Sequence, residues 1–61
     1  MPFEDALRLL KRGERIARAT WGPVQHVELR EGRFRLIEGV TERTMTWFGQ
    51  DLLAEDWVVL A

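Results

Sequence analysis

The chain has 61 residues, of which 9 are Lys or Arg and 10 are Asp or Glu, so its formal net charge at pH 7 is -1. A chain of this length buries only about 60% of the surface that its unfolded form exposes, so its own core contributes little stability. It has no cysteine and one histidine, His26, which excludes a disulfide framework and a structural zinc site of the Cys/His type. The near-zero net charge argues against a protein that coats DNA.

Residues 3 to about 12 have the pattern of an amphipathic helix. Phe3, Ala6 and Leu10 recur at helical spacing and place apolar side chains along one face. Acidic residues lie in the first turn and basic residues in the last, as the helix dipole favours. Gly13 follows and can adopt the left-handed conformation that ends a helix. Because a helix of about three turns is not stable alone in water, its apolar face must pack on the rest of the chain.

From residue 14 onward the sequence predicts short antiparallel strands separated by glycine. Residues 14–20 form the first predicted strand, which ends at Trp21-Gly22-Pro23 because proline removes a backbone donor and restrains the residue before it. Residues 26–30 and 33–37 alternate apolar and polar side chains. The two residues between them, Glu31 and Gly32, fit a tight turn, so this segment predicts a β-hairpin.

The alternation assigns the side chains of this hairpin to two faces. Val27 and Leu29 share one face of the first strand, and Phe34 and Leu36 of the second strand are expected to face inward with them. His26, with its polar neighbours, lies on the other face.

The last third of the chain predicts a strand, a helical turn and a final strand. Residues 41–47 carry β-branched and aromatic side chains typical of a strand. Residues 50–55 are long enough for one helical turn, which Asp51 can cap. Residues 57–60 are apolar on both faces, so we expect both faces to be covered, either by the helix and a neighbouring strand or by a second subunit.

The predicted fold class is therefore α+β: an N-terminal helix packed on a small antiparallel β-sheet, with a short C-terminal helical turn and a final strand. The chain shows no internal repeat and no linker, so we expect a single domain over residues 1–61.

The residue types argue against catalysis. Serine and cysteine are absent, and the threonines have only His26 as a conventional base. Neither a P-loop nor a dinucleotide-binding glycine pattern occurs. We therefore expect no enzyme activity, no cofactor and no bound metal. No apolar run approaches the ~20 residues of a membrane span and no leader-like segment opens the chain, so we expect a cytoplasmic protein with no membrane partner.

The segment from Arg18 to Pro23 is the first candidate ligand-binding site. It places a guanidinium, a threonine hydroxyl and the Trp21 indole at the break of a strand, where Gly22 leaves backbone exposed. A base can stack on an indole, and an arginine can hold a phosphate in two-point contact. The alternative is that Trp21 covers the edge of the core.

A second aromatic and polar segment includes Thr46, Trp47 and Gln50. Trp47 is either a ligand-stacking residue of the same kind or a core aromatic residue. His26 is either a surface histidine with a polar partner or a further ligand contact. Trp57 lies within an apolar strand, so we expect it in the core.

Three segments resemble the second type of phage Thoeris anti-defence protein. They are Phe3-Glu4-Asp5-Ala6-Leu7, Arg18-x-x-Trp21-Gly22 and Asp51-Leu52-Leu53-Ala54-Glu55-Asp56-Trp57-Val58-Val59, with the Gly13 stop between the first two. The resemblance runs from end to end. It implies a small cytosolic α+β protein that assembles as a homotetramer.

The resemblance also implies a function. Members of that family act as sponges: they hold cyclic ADP-ribose-type signals made by bacterial TIR-domain proteins without cleaving them. Some also take the cyclic oligonucleotide signals of the CBASS immune system. By the match of motifs, Trp21 packs against a ligand base, and Thr46, Trp47 and Gln50 form the next part of the site. We expect the motif acids, Asp51 and Asp56, to tie the C-terminal turn instead.

The predicted partners are a cyclic nucleotide and further copies of the chain, with no DNA or RNA polymer. So short a chain cannot enclose a nucleotide alone, so two copies are expected to supply opposite walls of the site. The alternative function is a small protein–protein interaction module that uses Trp57, Val59 and the apolar helix face. The predicted ligand-binding set is Arg18, Trp21, Gly22, His26, Thr46, Trp47 and Gln50.

Overall fold

The computed structural model describes residues 1–60 of the chain and contains two helices and five strands within them. The strands form one antiparallel sheet in the spatial order β4-β3-β2-β1-β5. Together with the helices this confirms the predicted α+β class. In chain order the elements are α1 (Phe3–Lys11), β1 (Arg15–Arg18), β2 (Gln25–Arg30), β3 (Arg33–Glu38), β4 (Thr41–Thr44), α2 (Gly49–Leu53) and β5 (Trp57–Leu60).

Helix α1 ends as the sequence predicts. Gly13 has a φ of 92°, and its N–H donates to the carbonyl oxygen of Leu10 at 3.0 Å. This left-handed residue reverses the chain directly into β1. Ala6 and Leu10 are fully buried, and α1 packs mainly on β1 and β5.

The β2–β3 hairpin has the predicted turn and the predicted faces. Glu31 and Gly32 have φ values of 52° and 76°, and two successive positive φ values match the twist of a two-residue hairpin turn. Cross-strand partners pair Val27 with Leu36. We call the side of the sheet that carries this pair and faces α1 the inner face, and the opposite side the helix-free face.

An aromatic cluster occupies the centre of the core. The Trp57 ring is fully buried, and its centroid lies 5.6 Å from that of Phe3 and 5.5 Å from that of Trp21. The Trp47 ring joins the cluster at 5.0 Å from Phe3 and 5.5 Å from Phe34. These edge-to-face contacts bury large rings in a chain that has few other means of forming a core.

Strand β4 is shorter than predicted. It ends at Thr44, whereas the sequence suggested a strand through Trp47. The register pairs Thr44 with Arg35, so a continued strand would bring Trp47 opposite Gly32, inside the hairpin turn. One more hydrogen bond to β3 follows Thr44, from the N–H of Met45 to the Phe34 carbonyl oxygen at 2.9 Å, and the chain then leaves the sheet so that Trp47 packs in the core.

Strand β5 is only partly covered within one chain. Trp57 is fully buried, but Val58 and Val59 are 40% and 41% exposed, so one chain does not cover both faces of the strand. Strand β5 lies at the edge of the sheet and has β1 as its neighbour on one side only. Helix α1 packs against β5, where Trp57 is buried, but it leaves Val58 and Val59 partly exposed. Coverage by a second subunit remains a proposal.

Helix α2 covers residues 49–53 and not 50–55. Asp51 caps it as expected, but from inside the first turn: a carboxylate oxygen accepts the N–H of Phe48 at 3.1 Å. Phe48 itself occupies the N-cap position. The Asp51 carboxylate therefore accepts a backbone N–H that has no hydrogen-bond partner within the helix.

Candidate functional site

A cavity of about 380 Å³ lies beside Trp21, between the inner face of the sheet and the start of α2. We call it the Trp21 cavity. The inner-face residues Gln25, Leu36 and Arg43 come from three neighbouring strands and line one side. The segment that leaves β4 and enters α2 lines the other side, with Thr46 and Phe48 among its residues. The cavity therefore combines aromatic and aliphatic surface with amide, hydroxyl and guanidinium groups.

Trp21 is held in place by the turn between β1 and β2. The backbone N–H of Trp21 donates to the carbonyl oxygen of Arg18 at 3.0 Å. The Trp21 ring stands nearly perpendicular to the Trp57 ring, at an angle of 81°. The indole is half-buried, because one part packs on the core and another borders the cavity. Packing on the core, one of the two alternatives drawn from the sequence, is therefore observed, and stacking on a ligand base stays a prediction.

The Arg18 guanidinium donates hydrogen bonds to two carboxylates. Its Nε donates to Asp56 Oδ1, and its Nη1 donates to Asp51 Oδ1 at 3.1 Å. The hydrogen bond with Asp56 raises the pKa of the guanidinium above its ordinary value, and burial opposes this. The side chain is 18% exposed, lies 5.8 Å from the centre of the Trp57 ring, and is not among the residues that line the Trp21 cavity.

The two motif acids hold the C-terminal segment together. The Asp51 carboxylate joins β1 to α2 through Arg18, and the Asp51 backbone oxygen accepts the Trp57 indole N–H at 2.9 Å. Asp56 ties the loop after α2 to the same arginine. These contacts match the structural role expected of both acids.

His26 faces the helix-free side of the sheet. Its Nε2 lies 2.9 Å from Glu28 Oε1, and its side chain is 14% exposed. The hydrogen bond with His26, followed by that with Arg30, lowers the pKa of Glu28. His26 is therefore a histidine whose ring is hydrogen-bonded to a polar partner, Glu28.

The structure thus separates the predicted ligand-binding set into two groups. Trp21, Thr46 and Gln50 meet at one cavity. Outside the lining of that cavity lie Arg18, Gly22, His26 and Trp47, of which Gly22 is exposed in the β1–β2 turn and Trp47 packs in the aromatic cluster.

The lining residues that the sequence did not predict for ligand binding include Gln25, Arg43 and Phe48. The alternation of β2 places Gln25 on the same face as Val27, so its orientation could have been read from the sequence. The position of Arg43 depends on the register between β3 and β4, which the sequence pattern does not give.

Two other concave surfaces are present. One of about 430 Å³ lies between α1 and α2, with Phe3, Leu7 and Leu53 in its lining. The other, of about 280 Å³, lies at the hairpin and includes Arg30 and Arg35.

The described residues contain neither a metal-binding cluster nor a membrane-spanning helix. No group of three or more His, Asp or Glu side chains there could hold a metal ion. Neither helix within residues 1–60 has the length and apolar character needed to cross a membrane.

The chain matches the model of a known protein family. The family model of the Thoeris anti-defense 2-like domain matches residues 1–60 of the chain. No curated protein matches the chain. The family match spans every element described above, including both helices and all strands that line the Trp21 cavity.

Proposed function

Because the chain belongs to the Thoeris anti-defense 2-like domain family, we propose that it is a phage anti-defence sponge that binds cyclic nucleotide immune signals and does not cleave them. The proposed ligands are cyclic ADP-ribose-type signals made by TIR-domain proteins, with cyclic oligonucleotides as a second class. The proposed place of action is the cytoplasm of the host bacterium.

The observation that supports this proposal is the Trp21 cavity. The indole of Trp21 offers a flat surface on which a base can stack, and such stacking contributes about 1–3 kcal/mol per base. Gln25 and Gln50 present amide groups that can both donate and accept hydrogen bonds with a base edge. One aromatic wall with polar groups around it is the composition that a nucleotide site needs.

The size of the cavity supports a shared site. At about 380 Å³ it lies near the lower end of the roughly 300–1,000 Å³ of small-molecule pockets. Cyclic di- and trinucleotides contain two or three nucleotides, so one such cavity suits only a part of such a ligand. We propose that a second copy supplies the opposite wall and that the assembly is a homotetramer.

Sequestration requires binding alone. A sponge lowers the free concentration of a signal by mass action, so it needs affinity and copy number and no bond-breaking group. The family assignment favours this non-catalytic role.

The direct test is calorimetry of the wild-type chain with cyclic ADP-ribose isomers and with cyclic di- and trinucleotides. We expect heat of binding with at least one member of the panel, and chromatography of the ligand after protein denaturation should recover it unchanged. Absence of heat with every member would remove the proposal. Recovery of a hydrolysed ligand would change the class to enzyme.

A second candidate function is a protein–protein interaction module. Its specific support is the apolar surface of α2 and its N-cap: Phe48, Leu52 and Leu53 are 60%, 45% and 83% exposed. Capture of a stoichiometric protein partner by the wild type, lost in Leu53→Glu and insensitive to cyclic nucleotides, would favour this function over the sponge.

A further inference from the structure

Arg43 lies on the inner face of the sheet at the Trp21 cavity. In the register between β3 and β4 it stands opposite Leu36, which also lines the cavity. Its side chain is 65% exposed, so the guanidinium is accessible to a molecule that enters from solvent. The sequence pattern gave no reason to single out this residue.

The charges around the cavity set Arg43 apart. Among the described residues that line it, Arg43 and Asp51 are the two with ionisable side chains. The Asp51 carboxylate is already engaged by Arg18 and by the Phe48 N–H. Arg43 is therefore the cation of the Trp21 cavity.

The partner of Arg43 lies outside the cavity lining. Arg43 Nη2 is 2.8 Å from Glu38 Oε1, and Glu38 stands on the same face of β3, two residues beyond Leu36. Both side chains are partly solvent-exposed, so the pair is weak and an incoming anion can replace the carboxylate at small cost. Arg18 differs because two carboxylates hold its mostly buried guanidinium.

The arginines of the hairpin are less suited to an anion. Arg30 and Arg35 both donate to Glu42, and Arg30 also donates to Glu28. A phosphate there would have to displace the Glu42 carboxylate, which bridges the two arginines, and at Arg30 also the Glu28 carboxylate.

We propose that Arg43 is the phosphate-binding residue of the ligand site and that Glu38 holds its guanidinium in the unliganded protein. This inference rests on the proposed function, since it assigns the anion contact of the same site. The planar guanidinium can donate two hydrogen bonds to two oxygens of one phosphate, as in other arginine–phosphate pairs. Trp21 then contacts the base of the ligand and Arg43 its phosphate.

The test compares four variants with the wild type by calorimetry, using whichever member of the cyclic nucleotide panel the wild type binds best. Arg43→Gln should weaken binding about tenfold or more, since it removes a charge-assisted pair. Arg43→Lys keeps the charge without the fork, so its affinity should lie between those of Arg43→Gln and the wild type. Arg33→Gln, on an exposed residue of the hairpin outside the Trp21 cavity, is the matched control for loss of one positive charge and should bind as the wild type does.

Glu38→Gln distinguishes a ligand contact from a structural role. Removal of the competing carboxylate should tighten binding a few-fold, whereas a residue that only supports the fold would give no gain. The dependence of affinity on salt should also be less steep in Arg43→Gln than in the wild type. Thermal unfolding monitored by circular dichroism verifies that each variant is folded.

The outcomes separate the two proposals. A wild type that binds a panel member, with an unchanged Kd in Arg43→Gln, overturns the assignment of Arg43 and leaves the sponge intact. Equal weakening in Arg43→Gln and Arg33→Gln also overturns it, since general charge would then account for the effect. A wild type that binds no panel member overturns both.

Discussion

Trp57 links the core of the molecule to the C-terminal acidic motif. Its ring is fully buried among the aromatic side chains, and its indole N–H is satisfied by the backbone oxygen of Asp51. One side chain thus contributes both apolar burial and a buried hydrogen bond, and the stability of a short chain is sensitive to the loss of either.

Trp57→Ala should destabilise the fold by about 3–5 kcal/mol, because it leaves a large cavity and removes the buried hydrogen bond from the indole N–H to the Asp51 carbonyl oxygen. A domain of this size has little more stability than that, so we expect the variant to be largely unfolded by circular dichroism at 25 °C. Val58→Ala, at the exposed neighbouring position, is the control and should remain folded. A folded Trp57→Ala variant with wild-type stability would contradict the assignment of Trp57 to the core.

Trp21 has a divided role, since it packs on Trp57 and borders the cavity. Trp21→Ala should weaken binding of a cyclic nucleotide by about 1–3 kcal/mol through loss of stacking, and the assembly should persist. Calorimetry gives the affinity, and native mass spectrometry gives the subunit count. Leu53→Ala, a highly exposed residue outside the Trp21 cavity, is the control.

The opposite result for Trp21 would also be informative. If Trp21→Ala lost the oligomer and kept its affinity for the ligand, its main role would be packing and not stacking on a base.

At the scale of elements, the helix-free face of β2, β3 and β4 carries a network of ion pairs. Glu28 accepts from Arg30 at 2.7 Å and contacts His26, and Glu42 accepts from Arg30 and Arg35. These side chains lie on one face and on three neighbouring strands, so the network ties the strands together across the surface that α1 does not cover.

The pKa of Glu28 gives this network a pH dependence. Hydrogen bonds from His26 and Arg30 lower that pKa below its ordinary value of 4.5, so the folded state favours the carboxylate form. The contribution of Glu28 to stability is therefore present above pH 4.5 and is lost as the pH falls through the lower pKa of the folded state.

Glu28→Gln should consequently be less stable than the wild type at pH 7, and the difference should shrink as the pH is lowered. Urea unfolding of both proteins at several values between pH 7 and pH 2 measures it. Glu14→Gln, at an exposed position, controls for the loss of one negative charge. A difference that is the same at all pH values would show that the carboxylate of Glu28 is not the cause.

At the scale of the whole molecule, one chain leaves its site and part of its apolar surface uncovered. The Trp21 cavity is open to solvent along the side formed by exposed Thr46 and Gln50, and Val58 and Val59 are partly exposed on β5. Association of several copies would cover such surface and would add walls to the site.

Native mass spectrometry of the wild-type chain should therefore show a tetramer, and addition of a cyclic nucleotide that binds should give a whole number of ligands per assembly. The same spectra report subunit count and ligand stoichiometry. A lone monomer that binds no cyclic nucleotide would contradict both the assembly and the sponge.

The sequence by itself determined the features that depend on neighbouring residues. The apolar spacing of α1, the Gly13 stop and the Glu31-Gly32 turn each encode a local backbone geometry, and the structure confirms each of them. The family resemblance, carried by motifs at both ends of the chain, is confirmed as well.

Only the tertiary structure decided which distant residues meet. Arg18 pairs with acids that follow it by more than 30 residues, which removes the guanidinium from the site where the sequence suggested it. The register between β3 and β4 would place Trp47 at the hairpin turn, so Trp47 leaves the sheet and packs in the core, and the same register brings Arg43 to the Trp21 cavity. Local patterns specify turns and faces, whereas strand register and ion-pair choice depend on the packing of the whole chain, so no short stretch of sequence contains them.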